Sequence, residues 1–164
     1  MARATKVIGP AERGGRPVID TVILDYAQRN AQTVTVMGLK GGRFDIALSQ
    51  PVRLRTDDAL LLEDGSLIEV VAAPEPLIEA RAANLEGLAR LAWHLGDRHV
   101  AVQMLPNRIR ARREPTIEVL LTSLGAKLAP IEAPFEPEGG AYESHAHGHD
   151  HAHHHHHGHH HHDH

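Results

Sequence analysis

The chain has 164 residues, with 21 Asp and Glu against 17 Lys and Arg, for a formal charge of −4 with histidine neutral. That balance excludes a general nucleic-acid binder, which needs a concentrated Lys and Arg excess to meet phosphates. The lack of cysteine excludes disulfides, thiolate nucleophiles and zinc sites of the finger or ribbon type, so any metal must be held by nitrogen and oxygen.

One Trp, two Tyr and two Phe leave an aliphatic core and no stacking platform for single-stranded nucleic acid. The opening MARATKV is too polar for a leader, and no run approaches the roughly 20 apolar residues of a bilayer span. The expectation is a cytoplasmic protein with neither membrane nor nucleic-acid partners.

From Arg16 to Ala72 the chain reads as strands: PVIDTVILDY, QTVTVM, RFDIALS and ALLLEDGSLIEVV, rich in β-branched residues and parted by Gly or Asn turns. Asp64-Gly65 between two apolar runs predicts a tight hairpin. Residues 1–73 are therefore read as a small all-β domain. Two prolines in Ala73-Pro74-Glu75-Pro76 interrupt regular hydrogen bonding and favour an extended boundary.

Beyond it, Leu77 to Ala82 predicts a strand. Asn84 caps a helix carrying Leu85, Leu88, Leu91, Ala92 and Leu95 at helical spacing, which Gly96 ends. His99 to Leu105 and Arg108 to Arg112 predict strands joined at Pro106-Asn107. Pro115 starts a second helix with Ile117, Leu120, Leu121 and Leu124 on one face before Gly125, and Lys127 to Ala133 return as a last strand. The order βαββαβ predicts a ferredoxin-like antiparallel sheet with two helices on one side, so the fold class is α+β, with this second domain spanning 74–142. After Ala133 the composition turns to Pro, Gly and Glu and then to histidine, with no apolar residue large enough to bury, which predicts a segment disordered without metal, the histidine-rich disordered tail spanning 143–164.

Residues 145–164 hold 14 histidines and two aspartates among only Ala and Gly. Neutral imidazole suits nickel, zinc and copper, and an ordinary pKa of about 6.5 leaves it available at neutral pH. An expression tag would be an uninterrupted block, whereas the longest run here is five. The tail alone does not separate a metal carrier from a metal store. In the body only His94 and His99 occur. His94 falls in the last helical turn, where a surface or capping histidine is as good a reading as a ligand. His99, placed at the start of a strand, is from spacing alone as readily structural as a site residue. One histidine cannot satisfy a transition metal, but a two-fold homodimer would present it twice.

Arg108, Arg110 and Arg112 alternate along a predicted strand beside Arg113, which reads as a solvated face or, alternatively, a docking surface for an acidic partner. No GxxxxGK[ST] loop, Ser-His-Asp set or paired-acid constellation appears, so no enzyme is expected. A metal-dependent hydrolase would need a general base, for which Asp97 and Glu114 are the nearby acids, and neither has a motif behind it.

Ala92-Trp93-His94-Leu95-Gly96-Asp97-Arg98-His99, followed by Val102-Gln103, Leu124-Gly125-Ala126 and Ala133-Pro134-Phe135-Glu136-Pro137-Glu138-Gly139-Gly140-Ala141-Tyr142, resembles the UreE family of urease accessory proteins. Asp97 stands where the family usually has Asn. The resemblance implies a nickel metallochaperone, not an enzyme, with an N-terminal domain similar to peptide-binding modules and a C-terminal domain that dimerises around a shared nickel. It maps His99 to the interfacial ligand. It implies as partners the other urease accessory proteins, including a GTPase, and apo-urease. Some members carry a further His-x-His pair where this chain reads Arg112-Arg113-Glu114-Pro115, so the tail would supply the extra ligands, His145, His147, His149 and His151 being nearest the body. Zinc and copper compete with Ni(2+) for such ligands in vitro. The alternative is a histidine-rich nickel or zinc buffer.

Overall fold

The computed structural model describes residues 2–139. In these, an α+β chain forms two sheets. The first has six strands in the order β2-β6-β5-β1-β4-β3, comprising β1 (Ala2–Ile8), β2 (Val18–Leu24), β3 (Thr33–Met37), β4 (Arg43–Ala47), β5 (Ala59–Leu62) and β6 (Leu67–Ala72). The strands β1–β4 and β2–β6 pair in parallel and the rest antiparallel. Its interior is aliphatic, with Val22, Leu24, Ile46, Leu54, Leu60, Ile68 and Val70 all buried. The expected hairpin joins β5 to β6, with Gly65 at φ 85° and the Asp64 carboxylate accepting from Ser66 N.

Two features of this half differ from expectation. The opening residues form β1, a central strand, although only Ala4 and Ile8 are buried along it and its sequence carries no clear alternation. The strand read through Tyr26 stops at Leu24, because Asp25 caps a short helix, α1 (Tyr26–Asn30). Asp25 accepts from Gln28 N while the Gln28 side chain accepts from Asp25 N, a reciprocal capping box.

The second sheet has the order β10-β7-β9-β8, from β7 (Pro74–Arg81), β8 (Gln103–Leu105), β9 (Arg108–Arg112) and β10 (Lys127–Pro134), antiparallel throughout. With α2 (Leu85–Asp97) between β7 and β8 and α3 (Pro115–Ser123) between β9 and β10, this is the ferredoxin-like arrangement the sequence predicts. Leu88, Leu91 and Leu95 of α2 and Ile117 and Leu121 of α3 bury against Ile78, Ala80, Ile109 and Ala111 of the sheet. The proline-rich boundary is extended but already part of β7. Pro74 and Pro76 pair with β10 only, beyond the reach of β9, where a missing N–H breaks no second ladder.

The arginines of β9 form a solvated face only at Arg112, which is exposed. Arg108 and Arg110 turn to the opposite side of the sheet from the helices and, with Arg81, surround the mostly buried Glu79 at 3.0–3.1 Å. Arg112 lies over the Tyr26 ring, 4.9 Å from its centroid, and Arg113 pairs with Glu118. Burial raises the Glu79 carboxyl, but the bonds from Arg110 and Arg81 and the charge of Arg108 together outweigh it and hold Glu79 below the usual carboxylate range. No described helix is long and apolar enough to cross a membrane.

Candidate metal centre

The helix that carries His94, and that His99 follows, is closed at each end by local chemistry. Asn84 accepts from Gly87 N at 2.8 Å, as its position predicts. At the other end α2 runs past Gly96, which lies inside the helix, to Asp97, with Arg98 as its C-cap.

His99 is not at the start of a strand. It is the turn residue that terminates α2, at φ 55°, and β8 begins only at Gln103. The His99 N–H donates to Gly96 O and the Val100 N–H to Leu95 O, both at 3.0 Å. These two bonds are a Schellman closure, which places a left-handed residue just past the helix, a position usually taken by glycine. The other helix makes the comparison internal. At the end of α3, Gly125 N donates to Thr122 O and Ala126 N to Leu121 O, with Gly125 at φ 83°. The same closure thus uses Gly125 in α3 and His99 in α2. Leu95 is fully buried and Val100 packs on the same core, so the turn is held firmly while His99 itself is exposed.

The surroundings favour a cation. The carbonyls at the end of α2 carry the negative end of the helix dipole, and Arg98 already donates to His94 O at 3.1 Å. His94 is half-buried in the last turn, with its ring edge-on to Trp93 at 5.0 Å. Trp93 is itself 65% exposed. Among the described residues no three His, Asp or Glu side chains gather closely enough to hold a metal. His99 therefore offers one nitrogen donor from a rigid turn, and nitrogen of this kind fits nickel, zinc or copper. His145, His147, His149 and His151 lie outside the described residues.

The chain beyond Ala133 departs from expectation over residues 134–139. Phe135 is completely buried, its ring 5.2 Å from that of Tyr26, so this segment is packed rather than free. Sequence reasoning also passed over Arg29, which is fully buried and donates to Leu54 O at 3.2 Å and to Phe135 O. Burial lowers the Arg29 guanidinium pKa, against the nearby charges of Glu136 and Glu75. The only available signal was a lone Phe in a stretch of Pro and Glu.

Two family descriptions match the chain: "UreE urease accessory protein, N-terminal domain" over residues 4–73 and "UreE urease accessory protein, C-terminal domain" over residues 75–164. A urease accessory protein UreE of Bradyrhizobium sp. strain BTAi1 is 50% identical over 148 residues, covering 89% of this chain and 71% of that protein. The protein of the same name from Beijerinckia indica subsp. indica is 44% identical over 87% of this chain and 82% of its own length. That of Chelativorans sp. strain BNC1 is 42% identical over 89% and 90%.

Proposed function

The chain belongs to the UreE family of urease accessory proteins, and from that premise we propose that it is a nickel metallochaperone delivering Ni(2+) for assembly of the urease active site. It works in the cytoplasm as a homodimer whose two His99 side chains share one ion, completed by tail histidines such as His145, His147, His149 and His151. Residues 74–142 bind metal and dimerise, residues 1–73 form a peptide-binding-like module, and the GTPase and apo-urease are its partners. The ion is cargo, and the chain performs no catalysis of its own.

One observation carries this reading. The turn closing α2 has the bond pattern that α3 satisfies with Gly125, so the backbone at position 99 is one glycine serves best. An exposed histidine in that conformation is accounted for by its side chain, since strained backbone collects where a side chain is needed. A rigid, exposed imidazole that no other described His, Asp or Glu pair joins as a metal site suits an ion that must be collected and then released.

The histidine-rich buffer is the second reading, favoured by the 14 histidines of residues 145–164. Nickel titration by calorimetry, with light scattering, separates the two on a chain ending at Tyr142, which retains every described strand, helix and core. One tight ion per dimer, lost in His99→Ala, is the expected result. No binding by the shortened chain would leave the buffer reading in its place.

A further inference from the structure

The two helices cover one side of the second sheet, burying Ile78, Ala80, Ile109 and Ala111. The other side is closed only towards the first sheet, where Leu77 is fully buried and Arg112 lies over Tyr26. Further out on that side, Lys127 of β10 stands directly opposite Arg81 of β7, and both are exposed. In the next row Glu79 stands between Ala129 of β10 and Arg110 of β9. Arg108, two residues from Arg110 and so on the same side, lies 3.1 Å from Glu79 Oε2. Glu79 cannot satisfy these cations. A carboxylate offers about four lone pairs, whereas three guanidinium groups carry about fifteen N–H donors. Arg108 Nε is buried and, despite its distance from Glu79, makes no aligned hydrogen bond. Lys127 has no ion-pair partner among the described residues. Like charges directly opposite on a sheet are destabilising, so the Lys127 and Arg81 pair is accounted for by an anion from outside the chain.

We propose that the face formed by Arg81, Arg108, Arg110 and Lys127 docks an acidic helix of a partner protein. The spacing fits. Neighbouring strands lie about 4.8 Å apart, and Asp or Glu side chains three or four residues apart on a helix lie about 5–6 Å apart. One acidic helical face laid across β10, β7 and β9 therefore brings a carboxylate to each row of cations. Guanidinium groups with donors to spare take carboxylates two bonds at a time. Charge decides the orientation. Four cations against the one carboxylate of Glu79 leave a local excess of three on a chain whose formal charge is −4. An acidic surface is thus drawn to this face and turned away elsewhere, while a long phosphate backbone meets the acidic remainder. A second copy is not the occupant, because two such faces would set like charges against each other. None of the four residues belongs to the turn that closes α2, so the surface is independent of whether His99 holds an ion.

The test uses the full chain and a fluorescent alanine-based helical peptide with Glu at three- and four-residue intervals, read by anisotropy beside the same peptide with Gln. The Glu peptide should bind at low salt and weaken as salt rises, and the Gln peptide should not bind. Arg81→Gln combined with Lys127→Glu should weaken the Glu peptide about ten-fold. Lys127→Glu alone disturbs no ion pair of the folded chain, so it should weaken the peptide several-fold with the melting temperature unchanged. Absence of binding by the Glu peptide, or equal binding by Lys127→Glu and the parent chain, would overturn the docking face. Duplex DNA held as tightly as the Glu peptide would replace it with a nucleic-acid surface. A change of mass in light scattering on Lys127→Glu would replace it with an interface between copies of the chain.

Discussion

At φ 55° the His99 backbone keeps its Cβ near the following carbonyl oxygen, a conformation that costs an L-residue about 1–2 kcal/mol, whereas Gly125 makes the same turn without a Cβ. His99→Gly should therefore leave the fold intact and raise its stability by about 1 kcal/mol in denaturant melts of the metal-free protein. The same variant should lose the tight nickel ion. A drop in stability would mean that the imidazole supports the body, and the functional account of the strain would fail. The sequence makes His99 conspicuous as one of two body histidines, but it does not show the left-handed turn. Gly96, the stop signal nearest to hand, proved to be inside the helix, since the closure is set by where Leu95 and Val100 bury.

Among the elements, β9 is where local reading and packing part most clearly. Its alternating arginines are plain in the sequence. Their shared partner Glu79 sits on β7, 31 residues from Arg110, and only the β7–β9 pairing brings the two together. Because the folded Glu79 carboxyl is held below its unfolded value of about 4.3, its stabilising contribution is fully present above that pH. It is lost as pH falls through the depressed folded value. Glu79→Gln, which leaves three arginines around a neutral amide, should cost about 3 kcal/mol at pH 7, towards the lower end for a broken buried pair because Arg81, Arg108 and Arg110 keep some contact with water. It should also flatten the acid side of the stability curve. Urea melts from pH 7 down to pH 3 check both, and a variant with the wild-type acid slope would show that another carboxylate governs it.

For the whole molecule, Phe135 matters more than its place near the end of the described chain implies. It belongs to neither sheet's core cluster, yet it is fully buried, against Tyr26 and under the Arg29 bond from α1. Phe135→Ala should cost about 3–5 kcal/mol, the usual range for a buried aromatic, and the loss should fall on the coupling between the two halves. Calorimetric melting should then resolve two transitions where the parent shows one. A single transition, merely shifted down, would mean that the halves are joined by something other than this seam.

Short-range chemistry in the sequence determined most of the elements. Asn84 and Pro115 open the long helices, Asp64-Gly65 turns the hairpin, Gly125 closes α3, and strand and helix periods give the ferredoxin-like order. The histidine content of residues 145–164 is read from composition alone. Tertiary structure alone decided that the polar opening residues become a central strand beside β4 and that Arg29 is buried. It also decided that Phe135 closes the seam and that Glu138 lies against Val102. Each of these depends on partners far apart in the chain, 106 residues in the case of Arg29 and Phe135. Their stabilisation comes from desolvation and pairing that exist only once both partners are assembled, so no local pattern records them.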